Sequence, residues 1–336
     1  MRIHWHRRDL RVRESPRHAN HYLTRFNTMG TTARIEVVAP GPTRAREVIR
    51  PAVQAVRKVN RLMSTYRANS DIRRLNDRGS RRAVAVHDWT MDVLRKAVEL
   101  WRVTGGAFDV TSGPLRDVWR RAEKSNEKPD EEELQAARQL VGADGLICGE
   151  GTVRLKKKDM EVDLGGIAKG YAIDRAVRAI KKHGGDSALV DIGGDMRLLG
   201  RRSDGKHWRV RVRTPPRITL NDVVYLKCSD IAVATSGDYA RYYMVGDKRF
   251  SHIVDPRTAR PVQAVPSCTV MARTAATADA LATGLSVLGP EKGLKAVEKV
   301  KGAECLIMVE DQQGGTRVVS SDGFSQYRYF PGDDTE

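Results

Sequence analysis

The most constraining stretch of the chain is a glycine-rich turn at residues 163–174, with the sequence DLGGIAKGYAID. It contains Gly165, Gly166 and Gly170 and separates a strand-like run from a helix-like run. Glycine allows a backbone to approach a neighbour closely and to adopt positive φ angles. The N-terminus of a following helix offers unpaired N–H groups to an anion, and Lys169 adds a positive charge. The segment is compatible with a phosphate-binding turn or with an ordinary connector, and it matches neither the P-loop nor the dinucleotide-binding pattern.

Helical and strand-like patterns follow one another irregularly along the chain. Apolar spacing predicts helices at 43–63, 91–103, 130–142, 170–183, 275–288 and 290–300. Alternation and β-branched runs predict strands at 33–39, 187–192, 208–213, 223–226, 231–235, 249–254, 268–272, 305–309 and 316–320, and a strand pair within 153–162. Because no regular βαβ order is present, the sequence predicts an α+β fold with mixed, largely antiparallel sheets and packed helices.

The balance of charge points to acidic partners. The 336 residues include 59 Lys and Arg against 42 Asp and Glu, a net charge of +17, which favours nucleotides, nucleic acid or anionic membranes. The basic residues are dispersed, and no nucleic-acid-binding motif is recognisable. We therefore favour a small phosphate-bearing ligand over specific DNA recognition. Four widely spaced cysteines predict neither a zinc site nor a disulfide framework.

The two ends of the chain differ in charge. Residues 1–25 hold seven arginines and four histidines and are predicted to form a flexible basic tail, and residues 331–336 an acidic one. The start shows no apolar signal region, cleavage site or lipid-attachment cysteine. No apolar run approaches the roughly 20 residues needed to span a bilayer. A cytoplasmic location is the default expectation.

Asp279 and Thr283 are the first candidates for chemistry. They lie four residues apart in an apolar, alanine-rich stretch, so they share one face of a helix. A carboxylate and a hydroxyl one turn apart are suitable oxygen ligands for Mg²⁺. The alternative is that Asp279 is exposed and Thr283 bonds to its own helix backbone.

Two further segments carry candidate side chains. His252 ends a predicted strand in a polar setting and is either a general base or a histidine in a turn. The loop GGAFD at 105–109 follows a helix and is either a ligand-binding loop or a plain helix terminus. Tyr66, after the helix at 43–63, offers a ring for stacking on a ligand or simply belongs to a helix end.

Together these segments resemble the FAD:protein FMN transferase (ApbE-like) family. The matching motifs run in one order over most of the chain: MGTT at 29–32, MSTY at 63–66, GAFD at 106–109, the turn at 163–174, DIGGD at 191–195, ATSGDY at 234–239, SHIVDPRT at 251–258, and residues 279–283. One departure is Ala259, which stands where a glycine usually follows DPRT. Arg273 and Ala276 also differ from the commoner residues.

The resemblance implies an ApbE-like, T-fold-related domain at 26–330. Its activity would be Mg²⁺-dependent transfer of FMN from FAD to a Ser or Thr hydroxyl of a target flavoprotein, with release of AMP. Such targets carry a motif like Asp-Gly-x-Ser/Thr-Gly-Ala-Thr, often in respiratory redox subunits. Alternatives are an FAD pyrophosphatase, a non-catalytic FAD-binding protein and, from the charge alone, a nucleic-acid binder. Many relatives are periplasmic or membrane-anchored.

The resemblance also assigns roles by position. The expected FAD contacts are Met29, Tyr66, Ala107, Phe108, Asp109, Asp163, Lys169 and Ile253. The expected metal ligands are Asp279 and Thr283, joined by a backbone oxygen of the turn at Gly166 or Ala168. His252 is the expected base, because a threonine hydroxyl is a poor nucleophile at neutral pH.

Overall fold

A nine-stranded antiparallel sheet is the centre of the molecule. The computed structural model describes residues 11–16, 18–212, 223–237, 242–262, 265–310 and 316–330. The strand order is β1-β2-β3-β7-β8-β11-β14-β15-β16. These strands are β1 (Arg13–Glu14), β2 (His21–Thr28), β3 (Thr31–Val38), β7 (Ala188–Ile192), β8 (Asp195–Leu199), β11 (Ile231–Gly237), β14 (Ser267–Ala272), β15 (Glu304–Glu310) and β16 (Thr316–Ser320).

The described part of the chain also contains three small sheets and seven α-helices. The small sheets contain β4 (Val84–Ala85), β5 (Leu146–Cys148) and β6 (Thr152–Leu155); β9 (Trp208–Arg211), β10 (Tyr225–Cys228) and β17 (Arg328–Tyr329); and β12 (Tyr242–Val245) and β13 (Lys248–Ser251). The helices are α1 (Pro42–Met63), α2 (Asp71–Arg78), α3 (Asp88–Val103), α4 (Gly113–Ser125), α5 (Glu131–Gln139), α6 (Ala168–Lys182) and α7 (Ala275–Val297). The predicted α+β class with antiparallel pairing is confirmed.

Both faces of the large sheet are covered. In β14, Val270 packs with α1, α6 and α7, whereas its neighbour Met271 packs toward β9 and β10. Successive side chains of a strand point to opposite faces. All six residues of β14 are buried, so both faces of the sheet are covered at this strand. Helices α1, α6 and α7 therefore form one layer against the sheet, and the small sheet with β9, β10 and β17 forms the other.

Two local predictions are wrong. Residues 21–25, assigned to a basic tail, belong to β2, where the imidazole of His21 is buried against Glu36 with an Nδ1–Oε1 distance of 2.7 Å. The predicted strand pair within 153–162 is a single strand, β6. Val162 exchanges its backbone hydrogen bonds with the Asn76 side chain instead of a strand, at 2.9 and 3.0 Å. The strand ends at Leu155, and the turn that follows includes Asp159 with a left-handed φ of 62°.

Two short-range predictions are confirmed. Asp130 is the N-cap of α5 and accepts from the Glu133 N–H at 2.7 Å. In α7, Gly289 leaves helical geometry at the predicted break. All four cysteines are free. Parts of other predictions fall on residues outside the described ranges, namely 1–10, 17, 213, 238–239 and 331–336. Within those ranges no helix has the length and apolarity to cross a membrane.

Candidate active site

The crossing of α6 and α7 positions the central residues of the candidate site. Asp174, on α6, accepts from the N–H groups of Ala275 and Ala276 at the start of α7, both at 2.9 Å. Asp279, on α7, accepts from the Gly170 N–H in the first turn of α6 at 3.0 Å. Each carboxylate thus satisfies orphan donors at the N-terminus of the other helix, where the helix dipole favours a negative charge.

Gly170 makes this crossing sterically feasible. A Cβ atom at this position would lie 2.1 Å from the carbonyl oxygen of Ala275, so any other residue would push the helices apart. Neither Gly170 nor the two earlier glycines of the turn has a positive φ. The glycines of this segment are therefore needed for close packing and not for a left-handed backbone. At Gly170 the close neighbour is helix α7.

Lys169 connects two buried carboxylates. Its Nζ forms an ion pair with Asp195 and lies 3.0 Å from Oδ1 of Asp279. Asp195 also accepts from the Thr235 N–H at 3.3 Å. Burial lowers the pKa of Lys169, but Asp195 and Asp279 raise it more, so the net pKa lies above normal and the amine stays charged at neutral pH. Burial raises the pKa of Asp195, against the opposing effect of Lys169.

The glycine-rich turn lies against the next turn of α7. A Cβ atom on Gly166 would lie 3.2 Å from Oγ1 of Thr283 and 3.3 Å from Cε2 of Phe108. Oγ1 of Thr283 donates to the Asp279 carbonyl at 3.2 Å. The alternative interpretation of this pair is therefore half right: the hydroxyl bonds to its own helix, but Asp279 is 5% exposed and not on the surface.

The donors at this crossing fit a hard cation. Asp279 would supply carboxylate oxygens, Thr283 a hydroxyl oxygen, and the turn at Gly166 and Ala168 backbone carbonyls, which is the oxygen chemistry that Mg²⁺ prefers. Gly166 has no side chain between its backbone and Thr283. No group of three His, Cys, Asp or Glu side chains converges anywhere in the described ranges.

Asp163 fastens the glycine-rich turn to the loop after α3. Its carboxylate forms an ion pair with Arg116 of α4 and accepts from the Gly165 N–H at 2.6 Å. Its own N–H donates to the Val110 carbonyl at 2.7 Å. A residue expected to contact FAD is thus also a structural link in this structure.

The loop after α3 presents three of the expected FAD contacts. Ala107 and Phe108 are buried, and Asp109 is 7% exposed. Asp109 accepts from the Thr111 N–H at 2.7 Å, the Thr111 hydroxyl at 2.6 Å and the Ala143 N–H at 3.1 Å. Burial raises the pKa of Asp109 despite these bonds. These bonds hold the loop in place.

Met29, Tyr66, His252 and Ile253 come from three other loops. Met29 has a φ of 50° in the tight turn between β2 and β3. Tyr66 is 85% exposed, with its hydroxyl 3.5 Å from Arg120. His252 follows β13 and is half-buried, and the buried Ile253 donates its N–H to the Ser251 hydroxyl at 3.1 Å. Hydrogen bonds connect Lys169, Asp279 and Thr283, and Gly166 packs next to Thr283 and Phe108. The contacts described above do not include Met29, Tyr66, His252 or Ile253.

Ala259 has a left-handed backbone conformation at a position where glycine is expected. Its φ is 61°, in the left-handed region that favours glycine, and the resemblance expects glycine here. The carbonyl of Ala259 accepts from the indole N–H of Trp119 at 3.0 Å. This bond holds the loop after His252 on α4.

Sequence reasoning assigned no role to Asp195, Asp174 or Arg116. Asp195 ends the quoted DIGGD motif and Asp174 ends the glycine-rich segment, so the motifs contained them without indicating their partners. Arg116 lies in α4 outside any quoted motif, and no sequence pattern pointed to it.

Comparisons with known proteins give one consistent result. Residues 29–307 match the sequence profile of the ApbE family. The chain is 36% identical to the FAD:protein FMN transferase of Vibrio cholerae over 298 residues, covering 88% of this chain and 89% of the relative. It is 34% identical to the enzyme of that name from Haemophilus influenzae over 295 residues, covering 84% and 85%.

Solved structures agree with the sequence comparison. The flavin transferase ApbE from Vibrio cholerae superposes with a TM-score of 0.81 at 33% identity, covering 91% of this chain and 99% of that one. The apbe protein from Thermotoga maritima superposes with a TM-score of 0.80 at 32% identity, covering 92% and 100%.

Proposed function

The chain belongs to the ApbE family, and on that premise we propose that it is an FAD:protein FMN transferase that moves FMN from FAD to a hydroxyl of a target flavoprotein. The observation that carries the proposal is the α6–α7 crossing. There the charged Lys169, the buried Asp279, the half-buried Thr283 and the close-packed turn at Gly166 meet in one place. With Mg²⁺ bound at the carboxylate, this combination would suit the negative charge of a pyrophosphate.

The proposed reaction is a phosphoryl transfer. The oxygen of a Ser or Thr hydroxyl in the target attacks the phosphorus of the FMN half of FAD. A bond forms between that oxygen and phosphorus, and the bond from the same phosphorus to the bridging oxygen breaks. AMP departs with the bridging oxygen, and the hydroxyl proton passes to a base.

Asp279, Thr283 and a backbone oxygen of Gly166 or Ala168 would hold Mg²⁺. When bound, the metal ion would neutralise charge on the pyrophosphate and on the departing phosphate. Lys169 stays protonated between its two carboxylates and is placed to attract phosphate oxygens. Its ion pairs hold the amine in position before substrate arrives, which lowers the cost of reorganisation during the reaction.

The remaining proposed contacts would hold the rest of FAD. Phe108 already lies against the glycine-rich turn, and Ala107 and Asp109 belong to the same anchored loop. Met29, Asp163 and Ile253 are the other expected contacts, and the exposed ring of Tyr66 is free of protein packing on most of its surface and suits stacking on a flavin or adenine ring.

The target is proposed to carry a motif like Asp-Gly-x-Ser/Thr-Gly-Ala-Thr. The direct test is to incubate the protein with FAD, Mg²⁺ and a target domain with this motif, and to measure in-gel flavin fluorescence and AMP. We expect equal amounts of labelled target and AMP, both dependent on Mg²⁺. A target whose acceptor Ser or Thr is replaced by Ala is the control and should stay unlabelled. AMP without labelled target would replace the transferase by an FAD pyrophosphatase.

His252 is proposed as the base that receives the hydroxyl proton. We expect His252→Ala to lower the rate of flavin transfer by about 10²–10⁴-fold, with little change in the affinity for FAD. Single-turnover transfer and FAD titration on the same preparation measure the two quantities. Near-full transfer by the variant would reject this role for His252 while leaving the transferase assignment intact.

A further inference from the structure

One face of the α1–α6 layer is almost purely basic. In α1, the exposed side chains of Arg46, Arg50, Arg57 and Arg61 fall within about 60° of one another at 100° per residue. In α6, Arg175, Arg178 and Lys182 form a second stripe of the same width. Both helices are fully described.

The two helices lie side by side and pack antiparallel. Arg44, near the start of α1, donates to the carbonyl of His183 just beyond the end of α6 at 2.7 Å. Farther along, Lys58 of α1 and Arg175 of α6 contact the same Trp89 ring, at 4.4 and 3.7 Å from its centroid. We call the outer surface of these two helices, with its two basic stripes, the α1–α6 face; Arg46 and Arg61 lie about 23 Å apart along α1.

Within the two helices, acidic side chains do not neutralise this face. Their acidic residues are Glu47, which pairs with Arg44, and the half-buried Asp174, which pairs with Arg197. The nearby Asp92 of α3 accepts from the Tyr171 hydroxyl at 3.2 Å. The contrast with the other helices is clear, because they form the ion pairs Arg73–Asp77, Arg74–Asp71, Lys96–Glu99, Arg120–Asp117 and Arg121–Glu133. Like charges one turn apart destabilise a helix slightly, so the stripe on α1 is not explained by helix stability.

We propose that the α1–α6 face binds the anionic headgroups of a lipid bilayer. Guanidinium groups bind phosphate well, and basic residues near an anionic membrane attract it additively. The proposal concerns a surface outside the candidate active site and does not depend on the transferase function.

The shape of the face favours a bilayer over nucleic acid. Its two helices lie side by side, whereas a major groove about 12 Å wide admits a single projecting helix. The aromatic rings beside cations of this face are Trp89, under Lys58 and Arg175, Phe26, 5.9 Å from Arg57, and Tyr171, 5.9 Å from Arg175. Because these rings already face cations, they are poorly placed to stack on a base. Two packed helices with aligned cations instead match a flat, charged surface.

The test is co-sedimentation of the full chain with lipid vesicles. Vesicles of phosphatidylcholine that contain anionic phosphatidylglycerol are compared with vesicles of pure phosphatidylcholine. We expect binding to the anionic vesicles only, with loss at high salt. The face variant Arg50→Gln/Arg57→Gln/Arg178→Gln should bind on the order of 100-fold more weakly, since three charges each contribute additively.

A matched control removes three exposed charges elsewhere. Arg81→Gln/Arg82→Gln/Lys156→Gln has the same net charge as the face variant and should bind vesicles within a few-fold of the parent chain. The substitution of the three face arginines by lysine should also retain binding. Thermal melting of each variant checks that the fold is intact.

Three results would overturn the proposal. The first is no binding of the parent chain to anionic vesicles at low salt. The second is equal loss in the face variant and the matched control, which would mean a response to net charge alone. The third is a face variant that keeps vesicle binding but loses binding to duplex DNA, which would assign the surface to nucleic acid.

Discussion

Asp174 and Asp279 lie on opposite sides of the α6–α7 crossing, and each accepts from the N-terminus of the helix to which it does not belong. Their remaining partners differ. Asp174 accepts from Arg197 at 2.6 Å and from two backbone N–H groups. These three donors all belong to the fold, so its bonds serve packing. Asp279 shares Lys169 with Asp195 and begins the turn of α7 that contains Thr283.

One packing motif thus serves two purposes. The pair of reciprocal caps brings the helices into register, and only the carboxylate with a shared lysine and neighbouring oxygen donors is suited to bind a ligand. We therefore expect substitutions at Asp279 to act on chemistry and substitutions at Asp174 to act on stability.

Flavin transfer should respond most strongly to Asp279→Ala. Loss of the proposed metal ligand should lower Mg²⁺-dependent turnover by at least about 10³-fold, since a bound metal contributes several kcal/mol to such a reaction. The assay is labelling of the target domain, normalised to folded protein by circular dichroism. Unchanged turnover would place the metal elsewhere and remove the distinction between the two carboxylates.

Gly170→Ala tests the crossing itself. The added Cβ meets the Ala275 carbonyl at 2.1 Å, so the helices must separate and both caps weaken. We expect a loss of about 3 kcal/mol in the free energy of unfolding, at the upper end of overpacking effects, measured by urea denaturation. The control is Gly41→Ala, where the added atom meets nothing within 4 Å and φ is −177°; it should change stability by less than about 1 kcal/mol. Equal effects of the two would show that the crossing is not tight.

Asp174→Asn should destabilise the fold without stopping catalysis. It removes the charge paired with Arg197 and leaves one buried backbone N–H poorly satisfied, at a cost of about 2 kcal/mol. Urea unfolding and single-turnover transfer on the same sample measure both properties. Transfer per folded molecule should stay within a few-fold of the parent chain, and a collapse of transfer with normal stability would contradict the structural role.

Thr283→Val should have the mildest effect of these substitutions. This change removes one proposed oxygen ligand while keeping the side chain's shape. We expect the Mg²⁺ concentration for half-maximal transfer to rise by about tenfold, with Thr283→Ser close to the parent. An identical Mg²⁺ dependence in the valine variant would exclude the hydroxyl as a ligand.

Much of the fold and part of the site were predictable from the sequence. The Asp130 cap and the helix break at Gly289 depend only on residues close in the chain. The sequence therefore predicts both correctly. The four-residue spacing of Asp279 and Thr283 is by itself enough to place them on one helix face. The family resemblance then connected them with the glycine-rich turn.

Long-range contacts account for what the sequence did not reveal. Asp174 bonds to residues about a hundred positions away, and Asp195 at the start of β8 pairs with Lys169 of α6. No periodicity in one sequence indicates such partners. The error at 153–162 has the same origin, because Asn76 takes the backbone bonds that a second strand would have used.

The most direct measurement is calorimetric titration of Mg²⁺ into the FAD-saturated protein. It compares the parent chain with Asp279→Asn and Asp174→Asn, and so separates the proposed metal-binding carboxylate from the structural one. Both variants lose one negative charge at the same helix crossing. We predict that Asp279→Asn weakens Mg²⁺ binding by at least about 100-fold, while Asp174→Asn stays within a few-fold of the parent. Equal weakening in both variants, or normal binding by Asp279→Asn, would contradict a metal site built on Asp279.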